Sequence, residues 1–507
     1  MKKLIKFLTS RIFIFGFSIA AQAAALVLGI AFLSKYDYYI YIGFSLLSAV
    51  TLIYIVSKRE NPIYKLAWTL PIALFPLLGW AIYLLAGRES LPKQKRKRAR
   101  RIYEQTYGLA PQDPALLQQI SRERPDIGRQ VSYLANMARL PVYDQTETEY
   151  LSPGEVFFER LCQELEKAQH FIFMEYFILE EGRMWDTILE ILARKAAAGV
   201  EVKLMYDDFG CLFTLPEGYA KKLRGMGIEV HVFNAFRPSL DAFMNYRDHR
   251  KITVIDGSVG FTGGNNLADE YINAYAKHGH WKDSSLLLKG KAVWNLSVLF
   301  LQMWQFYQNE NIDYDRYRPT KPAKSDGYVL PFGDSPLDSE LVGEMAYMNM
   351  IQNAKRYVSI TTPYLILDNE MITALRIAAQ SGVKIQIVTP AIADKWYVHM
   401  VTRYNYSALV EAGVEIYEYT GGFIHAKTIV CDDEIAIVGT QNFDFRSFYL
   451  HFECGALLYH TQSVAQVRED HQKVIARSEQ ISLENCRSRH WTIRVLQACL
   501  NLFSPLL

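Results

Sequence analysis

Cysteine is scarce in this 507-residue chain and unpatterned where it occurs. The six residues, Cys162, Cys211, Cys431, Cys454, Cys486 and Cys499, include no C-x-x-C pair and no regular spacing. That excludes a zinc-ribbon framework and a disulfide scaffold, and suits ordinary thiols in a reducing compartment. Net charge is nearly absent as well, +2 overall, but it is unevenly spread. Residues 1–101 hold 16 Lys/Arg against 3 Asp/Glu, a balance of +13, so the other 406 residues carry −11. An acidic body does not suit a nucleic-acid binder, whose affinity comes from Lys/Arg neutralising phosphates. No nucleic-acid partner is expected. A basic, apolar N-terminal segment suits the anionic face of a membrane instead.

A cleaved secretory signal is also lacking, since that pattern is one short apolar run followed by soluble sequence. Three apolar runs open this chain: Ile12–Leu33, Tyr38–Val56 and Leu66–Ala86. Each approaches the roughly 20 apolar residues that a helical span needs, and each is apolar all round. Positive charge lies before the first run, after the second, and most densely after the third, from Arg88 to Arg101. Three full spans cannot place all of these regions on the inner side of a membrane. The first run is therefore expected to lie in the interface or re-enter, and the largest cluster puts the catalytic body in the cytoplasm. Length allows two or three domains, and a chain that is half apolar and 13% aromatic can bury a sizeable core.

Beyond Arg101 the sequence repeats itself. An apolar run at 171–179, a helical stretch ending Ala198-Gly199, a β-branched run from Val200 to Tyr206 and then Gly227-Ile228-Glu229-Val230 make up the first copy. The second has Tyr357–Tyr364, then Gly382-Val383-Lys384-Ile385, then Gly413-Val414-Glu415-Ile416. The glycines stand where helices would end in a left-handed cap. Strand–helix–strand units of this kind predict α/β sheets covered by helices on both faces. The expected organisation is a membrane module over 1–101, a first half over 102–322, and a second half over 323–507.

Each copy carries one motif. His249-Arg250-Lys251 with Asp256 and Gly263-Gly264-Asn265-Asn266 matches His425-Ala426-Lys427 with Asp432 and Gly439-Thr440-Gln441-Asn442. Both read H-x-K-x4-D-x6-G-[GT]-x-N. One H-x-K-x4-D can be accidental; two, with the same tail inside a repeat, cannot. His and Lys two apart on a strand would point to one face. Two facing copies would gather two imidazoles, two ammonium groups and two amides. A phosphodiester reaction needs that set: a nucleophile, a proton donor for the leaving alcohol, and donors for the phosphate oxygens. Lys251, Lys427, Asn266 and Asn442 are expected on those oxygens, so neither a metal nor another cofactor is required. Asp256 and Asp432 are expected to orient the site through salt bridges. Asp283, 34 residues after His249, and Glu453, 28 after His425, are candidates to hold the histidine N–H groups. His280 and His451 stay open, while His170, His231, His278, His399, His460, His471 and His490 read as structural.

The paired motifs resemble the phospholipase D superfamily. Asn61–Trp68 with Phe75-Pro76-Leu77-Leu78-Gly79 is similar to the membrane N-terminus of bacterial cardiolipin synthases, as are Thr362-Pro363-Tyr364, Asn442–Ser447 and the closing Ser504–Leu507. His451 stands where that family shows Asn. The resemblance implies two pseudo-twofold-related mixed-sheet halves behind a transmembrane helical module. It also implies transfer of a phosphatidyl group between two molecules of phosphatidylglycerol through a phosphatidyl-histidine. A hydrolytic phospholipase D or a phosphatidylserine synthase would share these half-sites. So would a membrane-tethered nuclease, against which the acidic body argues. Residues 491–507, too short to span, are expected to form an amphipathic helix. Val495, Leu496, Cys499, Leu500 and Phe503 would share one face, packed on the second half or laid on lipid.

Overall fold

The computed structural model describes residues 20, 24, 28, 38–58, 61–87, 93–235, 245–308, 311–321, 323–337 and 340–506. The first apolar run lies almost wholly outside these residues. The second forms helix α1 (Tyr38–Ser57). The expected single third span is corrected to two short helices, α2 (Pro62–Leu74) and α3 (Pro76–Ala86). Pro76 lacks the N–H a continuing helix needs and forces Phe75 out of the helical region, at φ −132° and ψ 77°. The chain folds back there. A Cβ on Gly79 would come within 2.4 Å of the Pro71 carbonyl, so glycine is what lets α3 lie against α2. Among the described residues, no helix is long and apolar enough to cross a membrane.

The first half holds strands β1 (Thr146–Leu151), β2 (Phe171–Tyr176), β3 (Glu201–Asp207), β4 (Glu229–Phe233), β5 (Arg247–Asp248), β6 (Ile252–Ile255), β7 (Val259–Gly263), β8 (His280–Lys282) and β9 (Ser285–Gly290). Seven of these form a mixed sheet in the order β1-β9-β7-β6-β2-β3-β4, with β2, β3 and β4 parallel. The second half continues with β10 (Tyr328–Asp334), β11 (Tyr357–Thr361), β12 (Leu365–Ile366), β13 (Lys384–Pro390), β14 (Glu415–Tyr419), β15 (Gly422–Ile424), β16 (Thr428–Cys431), β17 (Ile435–Gly439), β18 (Phe443–Asp444), β19 (His451–Tyr459) and β20 (Ser478–Ile481). Its sheet runs β10-β19-β17-β16-β11-β13-β14-β20, the same plan with an added edge. The crossover helices end at Gly199, Gly227, Gly382 and Gly413 with φ between 82° and 96°. Open space surrounds the Cβ position at Gly199, Gly382 and Gly413. Backbone handedness, and not crowding, therefore selects glycine there.

Helices do not cover both faces of each sheet, as the repeat predicts. Helices Gly154–Leu165 and Arg183–Ala197 cover the outer face of the first sheet; Val342–Asn353 and Asn369–Gln380 cover that of the second. The inner faces meet one another. Ile252, Val254, Leu286 and Leu288 from one half share a core with Ala436, Val438, Ala456 and Leu458 from the other, sealed by the buried helix Val293–Tyr307. Strands apolar on both sides must be buried on both sides. A second sheet serves that need as well as a helix does.

Candidate active site

Each motif is positioned by the opposite half. β5, which leads into His249, pairs in parallel with the start of β19, and His249 N–H donates to the Phe452 carbonyl at 2.9 Å. β15, which leads into His425, pairs in parallel with β8, and His425 N–H donates to the Lys282 carbonyl at 2.7 Å. The H-x-K residues are irregular backbone between strands, not strand residues as the alternation argument assumes. The carboxylates cross over too. His249 Nδ1 lies 2.9 Å from Glu453 Oε1, and His425 Nδ1 lies 2.7 Å from Asp283 Oδ2. A carboxylate only accepts, so each Nδ1 carries the proton and each Nε2 keeps its lone pair. Both acids are fully buried, and both histidines are nearly so.

Burial and neighbouring cations hold both imidazoles neutral. His249 is pushed well below the usual range by burial, then by Lys251, Lys427, His425 and Lys395. His425 is lowered to about 4 by burial and Lys427, against the opposing pull of Asp283. Burial also lowers Lys251 to about 8 and Lys427 to about 7. Lys251 Nζ donates to the His249 carbonyl at 2.6 Å, and Lys427 Nζ approaches His425 Nδ1 at 2.9 Å while donating to the His425 carbonyl.

The Gly-[Gly/Thr] tail serves these acids. A Cβ on Gly264 would fall 2.0 Å from Asp283 Oδ1, so only glycine leaves that carboxylate its place. The equivalent Thr440 keeps its side chain and donates its hydroxyl to Glu453 Oε2. Asn266 accepts from Ile178 N–H at 3.1 Å and donates to the Tyr271 hydroxyl at 2.7 Å. Asn442 Oδ1 is buried with no hydrogen-bond partner among the described residues. His249, His425, Asn266 and Asn442 all line one cavity of about 700 Å³.

A family model described as "Cardiolipin synthase, PLD-like domain" matches residues 161–303 and 347–475, more than half of the chain. A second, "Phospholipase_D-nuclease N-terminal", matches 46–88. A cardiolipin synthase of Halalkalibacterium halodurans is 36% identical over 478 residues, 92% of this chain and 94% of that one. The chain belongs to the cardiolipin synthase family of phospholipase D-like proteins. An uncharacterized protein of Streptococcus mutans is 38% identical over 462 residues, covering 90% of this chain and 99% of the relative. In fold, the chain resembles a phosphatidylserine synthase of Haemophilus influenzae, with a TM-score of 0.58 at 14% identity over 74% of this chain and 99% of that one.

Within this cardiolipin synthase-family fold, Asp256 and Asp432 correct the expectation that they salt-bridge the site. They sit at the far ends of β6 and β16, both at positive φ, 48° and 57°. Asp256 accepts the backbone N–H groups of Gln169, His170 and Phe171 at 2.7–2.9 Å. Asp432 accepts those of Lys355, Arg356 and Tyr357 over the same distances. They fasten the first strand of each repeat to the motif strand. Arg250, the variable residue of the first motif, is buried against Glu175 at 2.5 Å and Asp248 at 3.2 Å. Removing one partner would strand a buried charge, at a cost of about 3–5 kcal/mol.

The structure adds cavity residues that sequence reasoning missed. Lys277, Lys395, Arg247 and Arg446 place cations around the cavity, and Tyr271 and Tyr364 line its wall. His278, read as structural, lines the cavity as well. His451 does too, its ring 5.4 Å from His249 and its Nδ1 3.4 Å from Glu453. His280 instead pairs with Glu155 at 3.5 Å on an exposed edge. His249, His451 and Glu453 bring ligand-type atoms within 4.8 Å of one another. Lys251, Lys427 and Lys395 act on His249 at that same point, and their like charge opposes a cation there.

Proposed function

We propose that this chain makes cardiolipin by moving a phosphatidyl group from one phosphatidylglycerol to a second and releasing glycerol. Family membership supports the broad reading, a phosphatidyltransferase acting on phospholipid. The histidine chemistry rests on a single observation, the crossed His249–Glu453 and His425–Asp283 pairs on one cavity. Such a site holds two neutral imidazoles with free Nε2 atoms among fixed ammonium groups.

The asymmetry of the pairs supports one division of roles. Asp283 raises the proton affinity of His425, whereas Glu453 is shared by His249, Thr440 and nearby His451. His249 attacks phosphorus from Nε2 and displaces glycerol. His425, whose neutral Nε2 first takes up a proton, is as the Asp283-paired imidazolium the acid that protonates the departing oxygen, and it returns to neutral in doing so. It then takes the proton of the incoming phosphatidylglycerol hydroxyl, whose attack breaks the P–N bond and frees His249. Lys251, Lys427, Asn266 and Asn442 stabilise the phosphate oxygens through their N–H groups. Water at this stage would divert the intermediate to hydrolysis, so the apolar approach to the cavity matters.

That approach runs along the N-terminal module. Asn61 Nδ2 donates to Asp368 and to the Tyr449 hydroxyl, both at 3.0 Å. Ile63 packs on Ile366, Val398 and Phe445, three residues that line the cavity. Leu46, Val50, Ile53, Val56, Leu66, Leu74 and Phe75 are exposed on this module. We read 1–101 as a multi-pass membrane part, with halves 102–322 and 323–507 together forming a cytoplasmic catalytic body. The test is to supply the purified protein with phosphatidylglycerol alone. Cardiolipin with glycerol is the expected product; phosphatidic acid with glycerol would make it a hydrolase.

A further inference from the structure

Outside the catalytic cavity, a groove of about 580 Å³ runs between α4 (Trp396–Val410) and the C-terminal helix α5 (Trp491–Leu502). Helix α5 packs only part of its expected apolar face, Leu500 lying against the cluster of Ile366, Val398, Val401 and Phe445. Gln497 is its one buried helical residue, donating to the Met400 carbonyl at 3.1 Å, while Val495 and Leu496 are exposed. Arg403, Arg487, Arg489 and Arg494 line the groove beside Trp491, which is 68% exposed. Two carboxylates answer four guanidiniums. Glu418 takes Arg403 in a two-pronged pair at 2.7 and 2.6 Å, and Glu411 takes Arg487 at 2.7 Å. Among the described residues, Arg489, half-buried, reaches only the Arg403 carbonyl at 3.4 Å, and Arg494 has no ion pair. Burial and the adjacent Arg403 depress Arg489, as expected of a cation short of a counter-ion.

We infer that this groove is a second headgroup site, which holds the phosphate of an anionic bilayer lipid and keeps the cavity mouth against the membrane. Guanidinium forks match phosphate oxygens, and an exposed Trp beside them suits the bilayer interface. The other end of α4 supplies Tyr397 and Val398 to the catalytic cavity, and α5 also touches α2. A lipid held in the groove therefore sets the orientation of the mouth. The inference rests on the reading of the chain as a membrane-bound phosphatidyltransferase, but its test does not depend on turnover.

The full chain is reconstituted in phosphatidylcholine vesicles containing brominated phosphatidylglycerol or, in a second series, brominated phosphatidylcholine. The fluorescence lost in Trp491→Phe isolates the Trp491 signal. Selective quenching by the anionic lipid is expected. Arg489→Gln/Arg494→Gln should weaken it about 30-fold in lipid concentration, about fivefold for each arginine. Exposed Arg494→Gln alone, which leaves the packed face intact, should cost about fivefold if the double variant does not fold. In turnover, the same variants should raise KM for bilayer phosphatidylglycerol and spare kcat. Equal quenching by the two lipids overturns the site, as does selectivity that survives the Arg494 change. Erasure by millimolar inorganic phosphate would make it a free-anion site and overturn the lipid assignment. Selective quenching without cardiolipin formation would remove the proposed reaction and leave the groove standing.

Discussion

The two half-sites share a plan but not an environment. In one, Asp283 bonds His425 and the Ser284 N–H, with Gly264 clearing space beside it. In the other, Glu453 divides its oxygens between His249 and Thr440, with the His451 ring tilted alongside His249 at 5.4 Å. A carboxylate whose side-chain donor is a single imidazole stabilises the imidazolium more than one shared with a second side-chain donor. The repeat gives two equivalent histidines, and the surrounding side chains make them unequal, as the proposed division into acid and nucleophile needs.

The most direct way to break this comparison is to remove each histidine. His249→Ala and His425→Ala should each lower turnover by at least about 10³-fold with unchanged circular dichroism. A phosphatidyl ester of a good leaving group, which needs no proton, should separate them. Acid-quenched His425→Ala should retain labelled phosphatidyl-enzyme, and His249→Ala should retain none. The reverse pattern would exchange the roles. Asp283→Asn should cost roughly 10²-fold, and Gly264→Ala should approach it, since the new methyl meets the carboxylate. Thr440→Gly, which copies the first half into the second, should cost about tenfold, one charge-assisted hydrogen bond's worth; equal losses at Gly264 and Thr440 would show that the two acids act alike.

A pH profile sharpens the same contrast. Both lysines act as ammonium, and both are lowered, so their charge is present at low pH and lost as pH rises through about 7 at Lys427 and about 8 at Lys251. kcat/KM should therefore fall on the alkaline side, the Lys427 half-site failing first. Lys427→Arg, less active at its optimum, should move that fall to higher pH. The smallest effect is expected from chelation: EDTA should leave the rate on uncharged detergent micelles unchanged. Loss restored only by a divalent ion would overturn the metal-free chemistry.

Much of this site is written locally. The H-x-K-x4-D-x6-G-[GT]-x-N spacing, the alternation of apolar runs and the four capping glycines are short-range features, set by strand period and backbone handedness. They fix the duplicated α/β plan, the histidines and asparagines that line the cavity, and the lysines buried beside those histidines. Pairing Asp283 with His425 and Glu453 with His249 lay beyond reach, because the partners stand 142 and 204 residues apart. The strands that create the crossing, β5 and β15, are two and three residues long, too short to leave a periodic signal. Asp256 and Asp432 misled for a related reason. A conspicuous acid in a motif reads as chemistry, but only the folded loops show three backbone N–H groups converging on each. The cations of the cavity mouth and the arginine groove come from separate segments as well. The sequence by itself determined which residue types the reaction would use and that they occur twice. Only tertiary structure decided which acid serves which histidine, because that choice is made by contact between halves, where sequence separation carries no information.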